Sequence, residues 1–240
     1  MTLDLPVIVL CGGLGTRLRA AVSDRPKALA PVGTSSFLAV QLELLRERGA
    51  RHFVLCVGEM AEQIEAAFGN GAALGVRVDY VRDGTTLLGT AGVLKRAERF
   101  FTPAAIVVNG DTYIDVDLAH LARVHASASA LATLMLTRVP DATRYRRIDC
   151  NGTRVTSFRE KELGDARGNW VNAGVYVIER ELLSRIPSDT AMSLERDVFP
   201  AVLRDGLTVA AFPQEVEFHD IGTPDALHRF AALREATHAA

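Results

Sequence analysis

The chain has 240 residues, 48% of them hydrophobic and 23% charged, which suits one sizeable core. Its formal net charge of −2 lacks the strongly basic balance expected of a nucleic-acid partner. No basic leader precedes the first apolar run and no segment reaches 18 apolar residues, so neither secretion nor a membrane partner is expected.

Val7 to Cys11 is a short apolar run between Pro6 and Gly12, the pattern of a strand covered on both faces. Ser36 to Arg48, with Phe37, Leu38, Leu42, Leu44 and Leu45, reads as a helix with a serine start and a stop at Gly49. Strand His52 to Val57, helix Ala61 to Phe68, strand Val76 to Val81, helix Thr90 to Phe100 and strand Ala104 to Val108 follow. This alternation predicts right-handed βαβ units and a mostly parallel sheet. The second half changes texture. Ala130 to Arg138, Arg146 to Asp149, Val155 to Phe158 and Val171 to Ile178 read as strands with few helices between them. Helix Leu194 to Arg204, strand Leu207 to Phe212 and helix Pro224 to Thr237 close the chain, the last capped by Thr223 with Pro224 at its first position. With no linker and no repeat, residues 1–240 are expected to form one domain. Cys11 and Cys56 lie in strand-like runs, so free buried thiols in a reducing, cytoplasmic setting are expected.

The loop after the first strand is Gly12-Gly13-Leu14-Gly15-Thr16-Arg17. Glycines here allow positive φ and close approach to a ligand, and successive N–H groups of such a turn can bind an anion. A tight turn is the less favoured explanation of the glycines. Arg17 adds a charged fork suited to phosphate. The spacing excludes a Walker A loop, which needs Gly-Lys-Ser/Thr, and a dinucleotide fingerprint, because Leu18 stands where the third glycine belongs. Lys27, stiffened between Pro26 and Pro31, could bring a second cation to a triphosphate. Asp111 ends a predicted parallel strand, where α/β sheets bind ligands. Asp115 and Asp117 resemble a metal cluster, but Asp117 precedes an apolar helical stretch and fits an N-cap better. Asp220 precedes Gly222 and the Thr223 cap of the final helix, so a mere helix-entry aspartate is weakened as its explanation. His219 has no partner at zinc-ligand spacing and reads as structural.

Gly12-Gly-x-Gly-x-Arg17-Leu with Pro26-Lys27 resembles the signature of the sugar-1-phosphate nucleotidyltransferases. Leu88-Gly-Thr-Ala-Gly92, Asn109-Gly-Asp111, Phe158-Arg-Glu-Lys161, Asn172-Ala-Gly174 and Asp220-Ile-Gly-Thr223 continue the likeness in order over residues 7–223. The resemblance implies a Rossmann-like, three-layer (GT-A-like) α/β fold with a mostly parallel mixed sheet. Residues 1–115 would be its nucleotide-binding half, and 116–240 its sugar-binding half with the C-terminal helix. It implies a reaction of a nucleoside triphosphate with a sugar 1-phosphate that gives an NDP-sugar and pyrophosphate, with Mg2+ as cofactor. The implied catalytic residues are Arg17, Lys27, Asp111 and Asp220, the two aspartates holding the metal. Leu10, Gly12, Gly13, Gly15, Thr16, Asp83, Leu88, Gly89 and Thr90 would bind the nucleotide. Gly110, Glu160, Lys161, Asn172 and Gly174 would bind the sugar phosphate.

Within that family the chain most resembles the heptose-1-phosphate guanylyltransferases, through Arg25-Pro-Lys-Ala28, Asn109-Gly-Asp-Thr112, Asn172-Ala-Gly-Val-Tyr176 and Phe218-His-Asp-Ile-Gly222. That implies GTP, a manno-heptose 1-phosphate and a GDP-heptose for capsule or surface glycan. The alternatives are a mannose-1-phosphate guanylyltransferase, a uridylyl- or thymidylyltransferase, and a regulatory nucleotide-sugar binder. A D-x-D glycosyltransferase is disfavoured because Asp111-Thr-Tyr lacks the second aspartate. Guanine needs an acceptor for its N1–H and amino group; Asp83 could supply one, or could simply make a turn with Gly84. The family often carries glutamates just before its Leu-Gly-Thr turn, and Thr85-Thr86-Leu87 departs from that. No β-helix repeat like that of larger relatives is present, implying a monofunctional enzyme. Apolar residues of the final helix suit the core or a homodimer interface.

Overall fold

The computed structural model describes residues 3–13, 24–84, 86–139, 145–159 and 170–238. In chain order the first half contains β1 (Val7–Leu10), β2 (Pro31–Val32), β3 (Ser35–Ser36), α1 (Phe37–Glu47), β4 (His52–Val57), α2 (Ala61–Phe68), β5 (Arg77–Arg82), α3 (Gly89–Arg96), β6 (Ala104–Asn109) and β7 (Thr112–Ile114). The second half contains α4 (Leu118–Ala128), β8 (Ala132–Arg138), β9 (Arg147–Asn151), β10 (Arg154–Arg159), β11 (Trp170–Glu179), α5 (Phe199–Arg204), β12 (Val209–Pro213), β13 (Phe218–Asp220) and α6 (Pro224–His238). Nine strands form one sheet in the order β5-β4-β1-β6-β11-β8-β12-β10-β9. β5, β4, β1 and β6 are parallel, as the strand–helix alternation predicts. From β11 onward the sheet mixes directions: β11 runs antiparallel to both β6 and β8, whereas β12 is parallel to β8.

The central strands are near-continuous apolar runs because both of their faces are covered. Val7, Phe53, Leu55, Ile106, Val108, Val175 and Val177 point to one face, where Leu38 and Leu42 of α1, Ile64 of α2 and Leu121 of α4 meet them. Ile8, Val54, Cys56, Val107, Tyr176 and Ile178 point to the other, against Leu94 of α3 and Phe199 and Val202 of α5. The result is a helix–sheet–helix sandwich, with each large buried apolar side chain contributing about 1.5–3 kcal/mol. No helix of the described residues is long and apolar enough to cross a membrane.

Helix starts follow their caps. Ser36 Oγ accepts from the Ala39 N–H at 3.3 Å, Asp117 from His120 N–H at 2.8 Å, and Thr223 Oγ1 from Ala226 N–H at 3.4 Å. The stretch predicted as one helix from Leu194 instead begins with a π turn, Leu194–Val198, before α5. Two short pairings have no counterpart in the sequence reading, β2 with β3 and β7 with β13. Strands of two or three residues carry no measurable periodicity.

A third, smaller cluster docks α6. Phe230 packs edge-on to Phe37 at 5.5 Å between ring centroids and lies 4.9 Å from Tyr113. Ile221, Leu227, Ala30 and Val32 complete it. This cluster sits directly behind β13, so its loss should loosen that strand as well as the helix. Phe230→Ala is expected to cost about 3 kcal/mol, from lost burial plus the cavity left behind. Urea unfolding checks this; a loss below about 1 kcal/mol would show that α6 is not held by this ring.

Candidate active site

A cleft of about 320 Å³ opens at the carboxyl ends of β1, β5 and β6, lined by Leu10 to Gly13, Lys27, Ala28, Asp83, Leu87, Gly89, Thr90, Val93, Asn109 to Asp111 and Gly222. Ligand sites of open α/β sheets lie at such strand ends. The β1–β6 register places Leu10 opposite Asn109, and the Gly110 N–H donates to Leu10 O at 3.0 Å. A side chain at Gly110 would put Cβ 2.6 Å from that oxygen, so the two strand ends approach as closely as they do only with glycine there.

Lys27 begins a short 3-10 turn after the buried Pro26 and sends Nζ to Asp111 Oδ2 at 2.8 Å. Asp111 sits between two anchors. Gln41, only 2% exposed on α1, donates from Nε2 to Asn109 O at 2.9 Å and to Thr112 O at 2.5 Å. The Ile221 N–H donates to Asp111 O at 3.0 Å. The antiparallel β7–β13 pair then sets Asp220 opposite Thr112, one residue from Asp111. Asp220 Oδ1 accepts from the Gly222 N–H at 2.6 Å. Asp115 is diverted to Arg48, whose fork binds both of its oxygens at 2.5 Å and holds its carboxyl below the usual range. His219 packs beside Tyr113 and Phe230.

Asp83 stands across the cleft after β5, 5% exposed, with Oδ1 buried and without a hydrogen-bond partner among the described residues. Burial pushes its pKa up to about 6, partly offset by the charge of Arg96. Arg96 also donates to the carbonyls of Arg82 and Asp83 and pairs with Asp189, which clamps this turn. Gly12 and Gly13 do not take positive φ, contrary to the reading of the loop. The need at Gly12 is space: a Cβ would meet Asp83 Oδ2 at 2.7 Å. Cys11 also faces the cleft, its thiol pushed up to about 12 by burial and the nearby Asp111 charge. The three cysteines are free.

Of the residues singled out from sequence, Leu10, Gly12, Gly13, Lys27, Asp83, Gly89, Thr90, Gly110 and Asp111 meet at the cleft. Leu88 is turned into the core with its carbonyl accepting from Met192 N–H, and Leu87 stands at the cleft in its place. Asn172 and Gly174 lie behind the cleft wall on β11, with the Gly174 N–H donating to Asn172 Oδ1 at 3.0 Å. Gly15, Thr16, Arg17, Glu160 and Lys161 lie outside the described residues.

The sequence reading missed Gln41 and Glu195. Gln41 sits in an amphipathic helix with nothing to distinguish it from a solvated polar position. Glu195 follows Ser193, whose Oγ caps the turn by accepting from Arg196 N–H at 3.2 Å, so it reads as an ordinary acidic first-turn residue. Instead Glu195 takes the hydroxyls of Tyr176 and Ser193 at 2.8 and 2.9 Å, and that of Thr90 at 3.3 Å.

A family model for nucleotidyl transferases matches residues 6–236. The chain is 35% identical over 233 residues to the mannose-1-phosphate guanylyltransferase of Mycobacterium tuberculosis, covering 96% of this chain but 65% of that protein, just under two thirds of its length. It is 32% identical over 235 residues to the D-glycero-alpha-D-manno-heptose 1-phosphate guanylyltransferase of Aneurinibacillus thermoaerophilus, covering 98% and 99% of the two chains. The crystal structure of HddC from Yersinia pseudotuberculosis complexed with GMP-PN has the same fold, with a TM-score of 0.81 at 27% identity over 96% of this chain and 99% of that one. A match over nearly the whole chain, on a fold that brings the strand-end motifs into one cleft, shows that the chain belongs to the nucleotidyl transferase family.

Proposed function

We propose that this protein transfers a nucleotidyl group from a nucleoside triphosphate to a sugar 1-phosphate. The carrying observation is the cleft in which Lys27 and Asp111 pair at 2.8 Å, lined also by the buried carboxyl of Asp83, whose Oδ1 has no hydrogen-bond partner among the described residues. A phosphate oxygen of the sugar phosphate attacks the α-phosphorus, the bond to the β-phosphate bridging oxygen breaks, and pyrophosphate leaves with that electron pair. The attacking phosphate is already an anion and needs no general base. The protein's task is to align two anions and neutralise them.

In this reading Lys27 serves the α-phosphate and Arg17 the departing phosphates, with Gly12, Gly13, Gly15 and Thr16 as the backbone around them. Gly89 and Thr90 border the nucleotide, Gly110, Asn172 and Gly174 the sugar, and Glu160 and Lys161 the sugar phosphate. Asp111, in the turn before β7, and Asp220, at the end of β13, carry hard oxygen donors. No group of three or more His, Cys, Asp or Glu among the described residues could hold a metal. Two carboxylates fit Mg2+, which usually takes one or two protein carboxylates and completes its shell with water and substrate phosphate. Bound there, Mg2+ would neutralise phosphate charge. GTP and a manno-heptose 1-phosphate are the favoured substrates, giving a GDP-heptose for surface glycan. The motif likeness, the full-length heptose relative and the acceptor at Asp83 support that choice.

Pyrophosphate release from GTP, UTP, dTTP, ATP and CTP, each with heptose-, mannose- and glucose-1-phosphate, tests the reading. GTP with manno-heptose 1-phosphate is expected to turn over fastest. Release from no pair overturns the proposed activity, and a preference for UTP with glucose 1-phosphate overturns the substrate choice alone. Lys27→Ala and Asp111→Ala should each lower kcat by about 10²–10³ while unfolding cooperatively. A near wild-type rate in either removes that residue from the reaction. EDTA should abolish turnover and Mg2+ restore it; undiminished activity in EDTA contradicts the metal assignment.

Asp83 adds a pH-dependent prediction. Its folded pKa is raised, so its contribution to stability is fully present below the unfolded value and is lost as pH rises through about 6. Asp83→Asn should therefore be more stable than wild type at pH 8, by on the order of 2 kcal/mol, with the difference vanishing near pH 4. The same substitution should raise the KM for GTP at pH 8, and wild-type KM should rise as pH falls through about 6. A variant with unchanged stability and KM shows that Asp83 is only a turn residue.

A further inference from the structure

Behind the cleft wall a chain of hydrogen bonds runs from the π turn to β11. Ser193 O accepts from the N–H groups of both Asp197 and Val198, at 3.1 Å each, and so widens the turn. π turns of this kind often occur at functional sites. Glu195 in this turn is an acceptor, and its Oε1 takes the Tyr176 hydroxyl proton at 2.8 Å. The Tyr176 oxygen in turn accepts from Asn172 Nδ2 at 2.7 Å and from the Asn109 side chain. Tyr176 is wholly buried, and burial with the adjacent Glu195 charge holds its hydroxyl protonated, its pKa well above the usual value.

Each direction in this chain follows from the one before it. An ionised carboxylate only accepts, so Tyr176 must donate to it. Having donated, the phenol oxygen can only accept, so both asparagines must turn their NH2 groups toward it. The Asn172 oxygen is then left to Gly174 N–H. Asn109 lines the cleft directly.

We propose that Glu195 is a positioning residue for the second substrate, fixing through Tyr176 which way the Asn109 and Asn172 amides face the sugar. This rests on the reading that the cleft takes a sugar 1-phosphate beside the nucleotide. Glu195 does not touch substrate; it determines whether the wall offers donors or acceptors to the sugar hydroxyls.

The test is steady-state kinetics of Glu195→Gln, Tyr176→Phe, their double variant and Asn172→Ala, with the sugar 1-phosphate that wild type turns over fastest. Glu195→Gln keeps shape and one oxygen for Thr90 and Ser193, but can offer an N–H to Tyr176 and reverse the chain. Tyr176→Phe keeps the buried ring and deletes the link. Each single variant should raise the KM for the sugar phosphate about tenfold, the equivalent of one hydrogen bond, with the NTP KM within about twofold. The double variant should be no worse than the worse single one, because both cut the same chain. Additive effects, or equal losses toward both substrates with a lowered unfolding midpoint, would mean a scaffold role and overturn the proposal. If Asn172→Ala shifts the sugar-phosphate KM while Glu195→Gln and Tyr176→Phe do not, the relay fails and the sugar site stands. If Asn172→Ala leaves it unchanged, the sugar placement fails and the relay with it.

Discussion

The antiparallel β7–β13 ladder joins segments far apart in the sequence and sets where Asp111 and Asp220 lie at this end of the cleft. The three-residue β7–β13 ladder supplies backbone bonds, with Asp220 opposite Thr112. Gln41 pins the Asn109–Thr112 turn from α1, and the Phe37–Tyr113–Phe230 rings press α6 against the back of β13. Lys27 then takes one oxygen of Asp111. The apolar cluster and the buried glutamine thus hold this end of the cleft in place.

The two sides of the cleft are built differently. On the side of β5, β4, β1 and β6, parallel strands end together and glycines make room, Gly12 for the Asp83 side chain and Gly110 for the Leu10 backbone. On the other side β11 reverses direction against β6, and the β11–β8 register shifts between Asn172 and Tyr176. That irregularity lets Asn172 and Tyr176, four residues apart, bond to each other. Glu195 links the two sides, because Thr90 lines the cleft at the start of α3 while Tyr176 lies in β11. The Thr90 hydroxyl both donates to Glu195 and accepts from Leu194 N–H at 2.8 Å, so it braces the wall.

The parallel half of the fold was readable because its strands are apolar on both faces and alternate with helices; elsewhere along the chain Ser36, Asp117 and Thr223 cap their helices as their positions suggest. Motif spacing likewise pointed to Lys27 and Asp111, which meet across a long sequence separation. What escaped has a physical reason in each case. β7 and β13 are too short to show a period, and they are what aligns Asp220 with Thr112. The one-residue difference between Leu88 and Leu87 depends on how α3 starts, with Gly89 at φ +68° tight against Met192 O. Gln41 and Glu195 gain their roles only from partners brought near by the sheet.

The most direct test of the strand-end cleft is a crystal structure of the protein with Mg2+ and its NDP-sugar product. The account predicts the cation about 2.0–2.1 Å from oxygens of Asp111 and Asp220. It also predicts the diphosphate beside Lys27 and the base against Asp83. A product lying elsewhere on the sheet, or a cation bound without either aspartate, would contradict it.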